Sequence, residues 1–323
     1  MSPSPQVLSQ LSEDALLARV LPLLGGSRPQ PLGPGDDAAV IAIDGPVVAT
    51  TDTMVLGADW RDDWSTPEQV AAKTVVQNLA DLAAMGAEPT AILSTLVLDP
   101  QTPLDWVERF ATALGEQCRR YDVSAAGGDL SSAPAGVRMV SITALGELAG
   151  RSPVTRSGAR PGDTIAVTGS LGRSAVGLAL LLQAAEAGVD VATLPAAALH
   201  HHLTPSAPLA QGPVAALAGA SAMIDLSDGL GRDAARVARA SSIRLEVDSA
   251  LLAGDLNWAE QYLPRAQARE CVLGGGEEHS LLATFPGSLP QFWRPIGVVA
   301  AGEPQVWLDG TPLPALGWDH FAG

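Results

Sequence analysis

The stretch Ser65–Leu98, STPEQVAAKTVVQNLADLAAMGAEPTAILSTLVL, reads as a helix followed by a strand. Ser65-Thr66-Pro67-Glu68 carries the start signals: a capping hydroxyl, proline in the first turn and an acid three residues after Ser65. Apolar residues then dominate as far as Ala84, and Gly86 supplies the stop. Ile92–Leu98 follows as an apolar strand. Steps of four along the helix place Lys73, Gln77 and Asp81 on one stripe, with Asn78 beside it. A polar stripe on an otherwise apolar helix must face either water or a site.

Working outward, the alternation of helix and strand continues on both sides. Ser12–Leu24 has helical spacing and stops at Gly25-Gly26. Ala38–Ile43 and Val47–Thr51 read as two strands of a hairpin joined by Asp44-Gly45. Leu104–Tyr121 reads as a helix, Val123–Ala126 as a strand ending at Gly127-Gly128, and Val137–Leu148 as another strand. The Arg/Ser/Pro/Gly-rich stretch from Gly150 to Gly162 marks a boundary, giving an N-terminal domain over 1–150 and a C-terminal α/β domain over 151–323. Beyond it come a strand at Thr164–Val167, a helix to about Ala187, packed short helices within Ala192–Ala222, a strand at Met223–Leu226, a helix at Gly229–Ala240 and a strand at Ile243–Val247. The tail from Ile296 holds strands and a hairpin around Asp309-Gly310. The fold class is α/β, with α+β mixing.

Composition narrows the function. The chain has 323 residues, 19 Lys+Arg against 35 Asp+Glu, and a net charge of −16, which argues against partners gripped through nucleic-acid phosphates or anionic lipid. The hydrophobic fraction of 47% is ample for a core. No stretch approaches the roughly 18 unbroken apolar residues of a membrane span, and no basic, apolar leader opens the chain, so a cytoplasmic protein is expected. Cys118 and Cys271 are too few and too far apart for a disulfide framework and read as buried apolar residues. Lys73 is the only lysine and follows Ala71-Ala72 in a helix, which excludes a Walker A loop and a protein kinase.

Several aspartates sit beside glycine or at strand ends: Asp36 and Asp37, Asp52, Asp129, Asp225 and Asp228, joined by the helical Asp81. Asp beside Gly often does no more than make turns and caps. As a set with neighbouring Thr and Ser hydroxyls, they are what a hard, oxygen-seeking cation such as Mg²⁺ requires. Such a site without a P-loop points to a nucleotide held through metal. Zinc would want His or Cys, and the run His200-His201-His202 reads as a solvated helix end.

The ordered series Gly33-Pro34-Gly35-Asp36-Asp37-Ala38-Ala39-Val40, Thr51-Asp52-Thr53, Asn78 through Ala87, Gly127-Gly128-Asp129, Arg156 through Asp163, Ile224-Asp225-Leu226-Ser227-Asp228-Gly229-Leu230, Gly275-Gly276-Glu277 and Gly317-Trp318-Asp319-His320-Phe321 resembles the thiamine-monophosphate kinase family. The resemblance runs in order from about residue 33 to the C-terminus. It implies a two-domain fold like that of aminoimidazole ribonucleotide synthase, a homodimer paired through its N-terminal domains, and a cleft completed by the C-terminal domain. It also implies ATP as co-substrate, several Mg²⁺ ions, and thiamine monophosphate as acceptor. Carried over by position, Asp37, Thr50, Thr51, Asp52, Asp81, Asp129, Asp225 and Asp228 match metal ligands, and Gly128, Asp129, Arg156 and Ser227 match ATP contacts. Asp59, Glu277 and Trp318 fall at substrate-contacting positions, and no catalytic acid or base is implied. Asp59-Trp60 stands where the family has His before an aromatic, Leu130 replaces a Thr, Glu278-His279-Ser280 replaces an Asp-Tyr-Glu run, and an Arg near Pro208 is missing. The metal and nucleotide motifs are thus intact while the acceptor side has drifted. The alternatives are a relative using ATP on another acceptor and a non-catalytic nucleotide-binding paralogue.

Overall fold

The computed structural model of the chain describes residues 6–34 and 37–319, so Asp36 and the closing His320-Phe321 lie outside the described residues. The chain divides into two units, Met1–Leu82 with Glu88–Ala149 and Ala83–Ala87 with Gly150–Gly323.

In the first unit the elements run α1 (Glu13–Val20), β1 (Val47–Val55), α2 (Pro67–Ala84), β2 (Glu88–Leu98), α3 (Leu104–Arg120), β3 (Ser124–Ser132) and β4 (Arg138–Glu147). The Ser12 hydroxyl caps α1 by accepting from the Ala15 N–H at 3.3 Å. The α2 cap falls one residue later than the Ser65/Glu68 spacing predicts: the Thr66 N–H donates to Gln69 Oε1 at 2.9 Å, and the Gln69 N–H to Thr66 Oγ1 at 3.4 Å. Glu68 instead takes Arg109 at 2.7 Å, and that guanidinium holds its carboxyl down at about 2. The sheet order is β1-β4-β2-β3, antiparallel except between β2 and β3, where α3 supplies the crossover that parallel strands need.

Alternation along the strands divides this sheet into two faces. Val140, Ile142 and Ala144 of β4 are buried, while Met139, Ser141, Thr143 and Leu145 between them are half-buried. In β1, Thr50, Asp52 and Met54 form the more buried set, and Val47, Ala49, Thr51, Thr53 and Val55 are exposed. α2 is apolar nearly all round and buried accordingly, and α3 turns Trp106, Val107, Phe110 and Leu114 inward. Trp106 stacks on Phe110 at 5.4 Å and on Trp60 at 6.4 Å, with the Arg138 guanidinium 5.2 Å from its ring centre.

The hairpin expected from Asp44-Gly45 does not form. Val40 makes only an isolated bridge with Leu32, and β1 pairs with β4 from Val47↔Glu147 to Val55↔Met139. The residue after Gly45 is Pro46, which has no N–H to exchange with Ile43 across a two-residue turn.

The second unit contains β5 (Thr164–Thr168), α4 (Arg173–Ala187), α5 (Ala196–Leu203), α6 (Gln211–Leu217), β6 (Ala222–Asp225), α7 (Leu230–Ser241), β7 (Arg244–Val247), α8 (Ala253–Ala259), α9 (Arg265–Gly274), β8 (Leu281–Phe285), β9 (Arg294–Ala300), β10 (Val306–Leu308) and β11 (Thr311–Pro312). The sheet order is β11-β10-β7-β9-β5-β8-β6, with β10 and β7 parallel. Here the Asp309-Gly310 turn does close a hairpin, with positive φ at both residues as a tight primed turn requires. The core gathers Ile165, Val167, Val176, Ile224, Leu245, Leu282 and Ile296. Cys271 here and Cys118 in the first unit are both buried, and burial pushes their thiols up to about 11 and about 12. Among the described residues no helix is long and apolar enough to cross a membrane.

The aromatic stack generates a stability prediction. Trp106→Ala should destabilise the protein by about 3–5 kcal/mol in urea titrations, because it empties a large buried site and removes the face that carries Arg138. A loss under about 1 kcal/mol would show that the stack is not a packing centre.

Candidate functional site

In the first unit the polar stripe of α2 meets β1. The Thr50 hydroxyl donates to Asp81 Oδ2 at 2.6 Å, and the Asp52 N–H donates to Asn78 Oδ1 at 2.9 Å. Asn78 is fully buried and passes its amide N–H to the Thr74 carbonyl at 2.8 Å, so its orientation is set from both ends. Thr50, Asp52 and Asp81 remain half-buried. Lys73, at the other end of the stripe, is buried and donates to the Asp59 carbonyl at 3.2 Å, while Asp59 Oδ2 accepts the Val55 N–H at 2.7 Å.

Two predicted ligands lie on the opposite face of this sheet. The exposed Thr51 donates its hydroxyl to the Ile142 carbonyl at 3.0 Å and accepts from the Thr143 hydroxyl at 3.3 Å. Asp129 is exposed on β3, in the row Asp129, Thr95, Ser141, Thr53 that crosses the sheet, so it shares the face of Thr53 and Thr51. Three strand spacings of roughly 4.8 Å separate the ends of that row. Gly128 has a steric reason of its own, since a Cβ there would lie 1.9 Å from the Ser94 carbonyl oxygen. Asp37 is exposed in the segment before β1.

In the second unit the loop after β6 is held along its length. The Leu226 N–H donates to the Ser280 carbonyl at 2.8 Å, the His279 N–H to Leu226 at 2.9 Å, the Glu277 N–H to Ser227 at 2.7 Å and the Trp318 N–H to Asp228 at 2.9 Å. The strands of this weave are so close that a Cβ on Gly276 would lie 2.7 Å from the Ser227 carbonyl oxygen. Asp225, Ser227, Asp228, Glu277 and Trp318 are thereby brought together. Arg156 stands apart and exposed, with its carbonyl accepting the Ser241 hydroxyl at 3.0 Å. The Trp318 indole is 61% exposed.

The acidic groups of this loop have partners of their own. Asp225 is buried with Oδ2 3.4 Å from His279 Nδ1. Asp228 is ion-paired to Arg236 and lies 3.7 Å from Arg232, which also takes Asp319 at 2.8 Å. Sequence reading missed Asp233, whose only signal is an acid in the first turn of α7. Its Oδ2 accepts the Asp228 and Gly229 N–H groups at 2.9 and 3.1 Å, and its other oxygen takes Arg236. Burial and the charges of Asp225 and Asp228 push Asp233 up to about 7, against the pull of Arg236 and the Asp228 N–H.

The histidine run is not the solvated helix end its composition suggests. His201 and His202 are buried, with His201 Nε2 3.1 Å from the Glu278 carbonyl and His202 Nδ1 3.2 Å from Glu277 Oε2. Glu278, 1% exposed, accepts the Ser170 hydroxyl at 2.5 Å and the Ser174 N–H at 3.1 Å at the start of α4, where the helix dipole favours an anion. A buried acid needs donors, and the polar end of α5 turns inward to meet it.

Among the described residues no three His, Cys, Asp or Glu side chains gather closely enough to cage a metal ion. That donor set still fits Mg²⁺, which keeps water and phosphate oxygens in its shell and takes only one or two carboxylates from the protein. Half-buried Asp52 and Asp81 with the Thr50 hydroxyl offer hard oxygen donors of that kind.

Comparison with known proteins adds an independent line. Residues 35–148 match the family described as AIR synthase related protein, N-terminal domain. The thiamine-monophosphate kinase of Mycobacterium tuberculosis is 41% identical over 322 residues, covering 97% of this chain and 93% of the relative. The crystal structure of thiamine-monophosphate kinase from Stenotrophomonas maltophilia superposes with a TM-score of 0.78 at 30% identity, over 93% of this chain and 96% of that one. A structure described as AaThiL complexed with AMPPCP and TMP gives 0.76 at 30% identity, over 99% of this chain and 100% of that one.

The Asp233 geometry is testable. Asp233→Ala should cost about 2–4 kcal/mol of unfolding free energy, since it leaves the Asp228 and Gly229 N–H groups without their acceptor and takes from Arg236 one of its two carboxylate partners, Asp228 being the other. Thermal denaturation within about 1 °C of the parent would show that the carboxylate does not hold the loop.

Proposed function

The chain belongs to the thiamine-monophosphate kinase family, and we propose that it transfers the γ-phosphoryl group of ATP directly to thiamine monophosphate, giving thiamine diphosphate and ADP. What carries this reading at the level of residues is the array of Thr50, Asp52 and Asp81 along β1 and α2, in which Thr50 and Asp81 hydrogen-bond to each other, Asn78 holds the Asp52 backbone N–H, and all three stay within reach of solvent. Bound Mg²⁺ supplies charge neutralisation for two phosphates whose like charges, about 4 Å apart, repel by roughly 4 kcal/mol at an effective dielectric near 20.

Asp52, Asp81 and Thr50 would hold one metal in the first unit, with Asp37 and Asp129 as oxygen ligands for others, Asp129 from the opposite face of the sheet. Thr51 belongs to the set by position, although its side chain sits across the strand. Asp225 and Asp228 serve the second unit, and Asp228 exchanges part of its arginine pairing to do so. Gly128, Asp129, Arg156 and Ser227 take the nucleotide, while Asp59, Glu277 and Trp318 take the acceptor. The exposed Trp318 indole suits a cationic heterocycle, at about 0.5–2 kcal/mol for such contacts. No base is needed, because a phosphate monoester with a second pKa near 6 is already largely deprotonated at neutral pH. Its oxygen attacks the γ-phosphorus in line as the bond to the ADP oxygen breaks. The need for ATP puts the site of action in the cytoplasm.

A homodimer paired through the first unit's sheet is part of the same reading. Support comes from its outer face, where Val47 and Val55 are 51% and 38% exposed around a ladder of Thr51, Thr53, Ser141 and Thr143.

Purified protein incubated with Mg²⁺, ATP and thiamine monophosphate should form equal amounts of thiamine diphosphate and ADP, and none with EDTA present; absence of thiamine diphosphate would sink the assignment. Asp52→Asn should lower turnover about a hundredfold or more while leaving the melting temperature unmoved. Thr143→Arg, on the outer sheet face, should yield monomers in sedimentation equilibrium, and an unchanged dimer would place the interface elsewhere.

A further inference from the structure

The three histidines of α5 have no part in the reaction just described, yet two of them are buried against the acceptor-side loop. His202 Nδ1 lies 3.0 Å from Ser174 Oγ and 3.2 Å from Glu277 Oε2, and Ser174 Oγ lies 3.5 Å from the same carboxylate oxygen. A carboxylate can only accept, so the tautomer assigned to His202 carries its hydrogen on Nδ1, and ring N–H and serine hydroxyl both donate to Glu277. The backbone reinforces this aim. Glu277 and His279 have φ of +58° and +51°, a left-handed conformation that side chains with a Cβ rarely adopt. It persists because Glu278 between them is anchored by Ser170, the Ser174 N–H and His201. The His202 side chain is only 8% exposed, against 33% for Glu277, so whatever His202 does for a ligand passes through Glu277.

We propose that His202, seconded by Ser174, is a positioning residue that fixes the Glu277 carboxylate toward the cationic or amino-bearing rings of the acceptor. This rests on the reading of Glu277 as an acceptor contact. The α5 histidines brace the run from Glu277 to Glu278.

Steady-state kinetics with both substrates varied test it. His202→Ala should raise KM for thiamine monophosphate about tenfold, the loss of one charge-assisted hydrogen bond, while kcat and KM for ATP stay within about threefold of the parent. His202→Asn, whose side-chain amide can donate from near the Nδ1 position, should recover most of the affinity. Adding His202→Ala to Glu277→Gln should do no further harm. An unchanged KM in His202→Ala, a parallel fall in kcat and in affinity for both substrates, or failure of the Asn variant to rescue would overturn the proposal. If His202→Ala does not fold, Ser174→Ala decides by the same KM criterion. A parent protein with no turnover on thiamine monophosphate overturns the function and this inference together, whereas an active parent beside an unaffected His202→Ala overturns only the inference.

Discussion

A carboxylate drawn out of water is tolerated only where donors face it, and the cost of leaving one unmet is several kcal/mol. That constraint shapes the loops of both units. Asp81 meets the Thr50 hydroxyl, Asp233 meets two backbone N–H groups and Arg236, and Glu278 meets Ser170, the first turn of α4 and His201. Around Asp233 and Glu278 the donors fix loop backbone that would otherwise have little to hold it, whereas Thr50 and Asp81 join a strand to a helix. The acidic residues therefore reach their positions with orientation settled before any ligand arrives, which lowers the reorganisation that binding has to drive.

The period of two in β1 has an equally direct consequence. Thr50 and Asp52 turn to α2, whereas Thr51 and Thr53 turn to the outer face, where the cross-strand row ends at Asp129. The neighbours Thr50, Thr51 and Asp52, proposed above as metal ligands, thus face two surfaces of the first unit. A cation that demanded a preformed cage would be poorly served by this arrangement. One that completes its shell with phosphate and water is not, because it asks only for pairs of oxygen donors.

Much of this was legible in the chain because it depends on local pattern. The helix at α2, the strands that flank α3 and the polar stripe ending at Asp81 all follow from periodicity and turn residues. Two Asp-Gly pairs show where such reading fails. Asp309-Gly310 makes a hairpin, and Asp44-Gly45 does not, since Pro46 removes the donor that the first cross-strand pair needs. β8 carries no alternation because every one of its residues is buried, so a period of two could not announce it. The inward turn of His201 and His202 was hidden for a different reason: it answers a demand made by Glu277 and Glu278, more than seventy residues downstream in the chain. Asp233 was hidden likewise, as an acid in a helix's first turn is commonplace until the N–H groups it caps are seen.

The strained run at Glu277–His279 brings these threads together. Glycine would adopt those left-handed angles at no steric cost, yet the two glycines just before, Gly275 and Gly276, are not at positive φ, and the left-handed positions fall on Glu277 and His279. Side chains are retained at Glu277 and His279 all the same. One faces His202 and Ser174, and the other lies beside Asp225. Glu278, locked between them, supplies enough buried hydrogen bonding to hold both neighbours in a conformation they would leave if released. A flexible loop with the same residues could still present an acid to a ligand, but it would have to lose that freedom on binding. Strain kept in the backbone and offset by a buried carboxylate removes that cost in advance of any ligand.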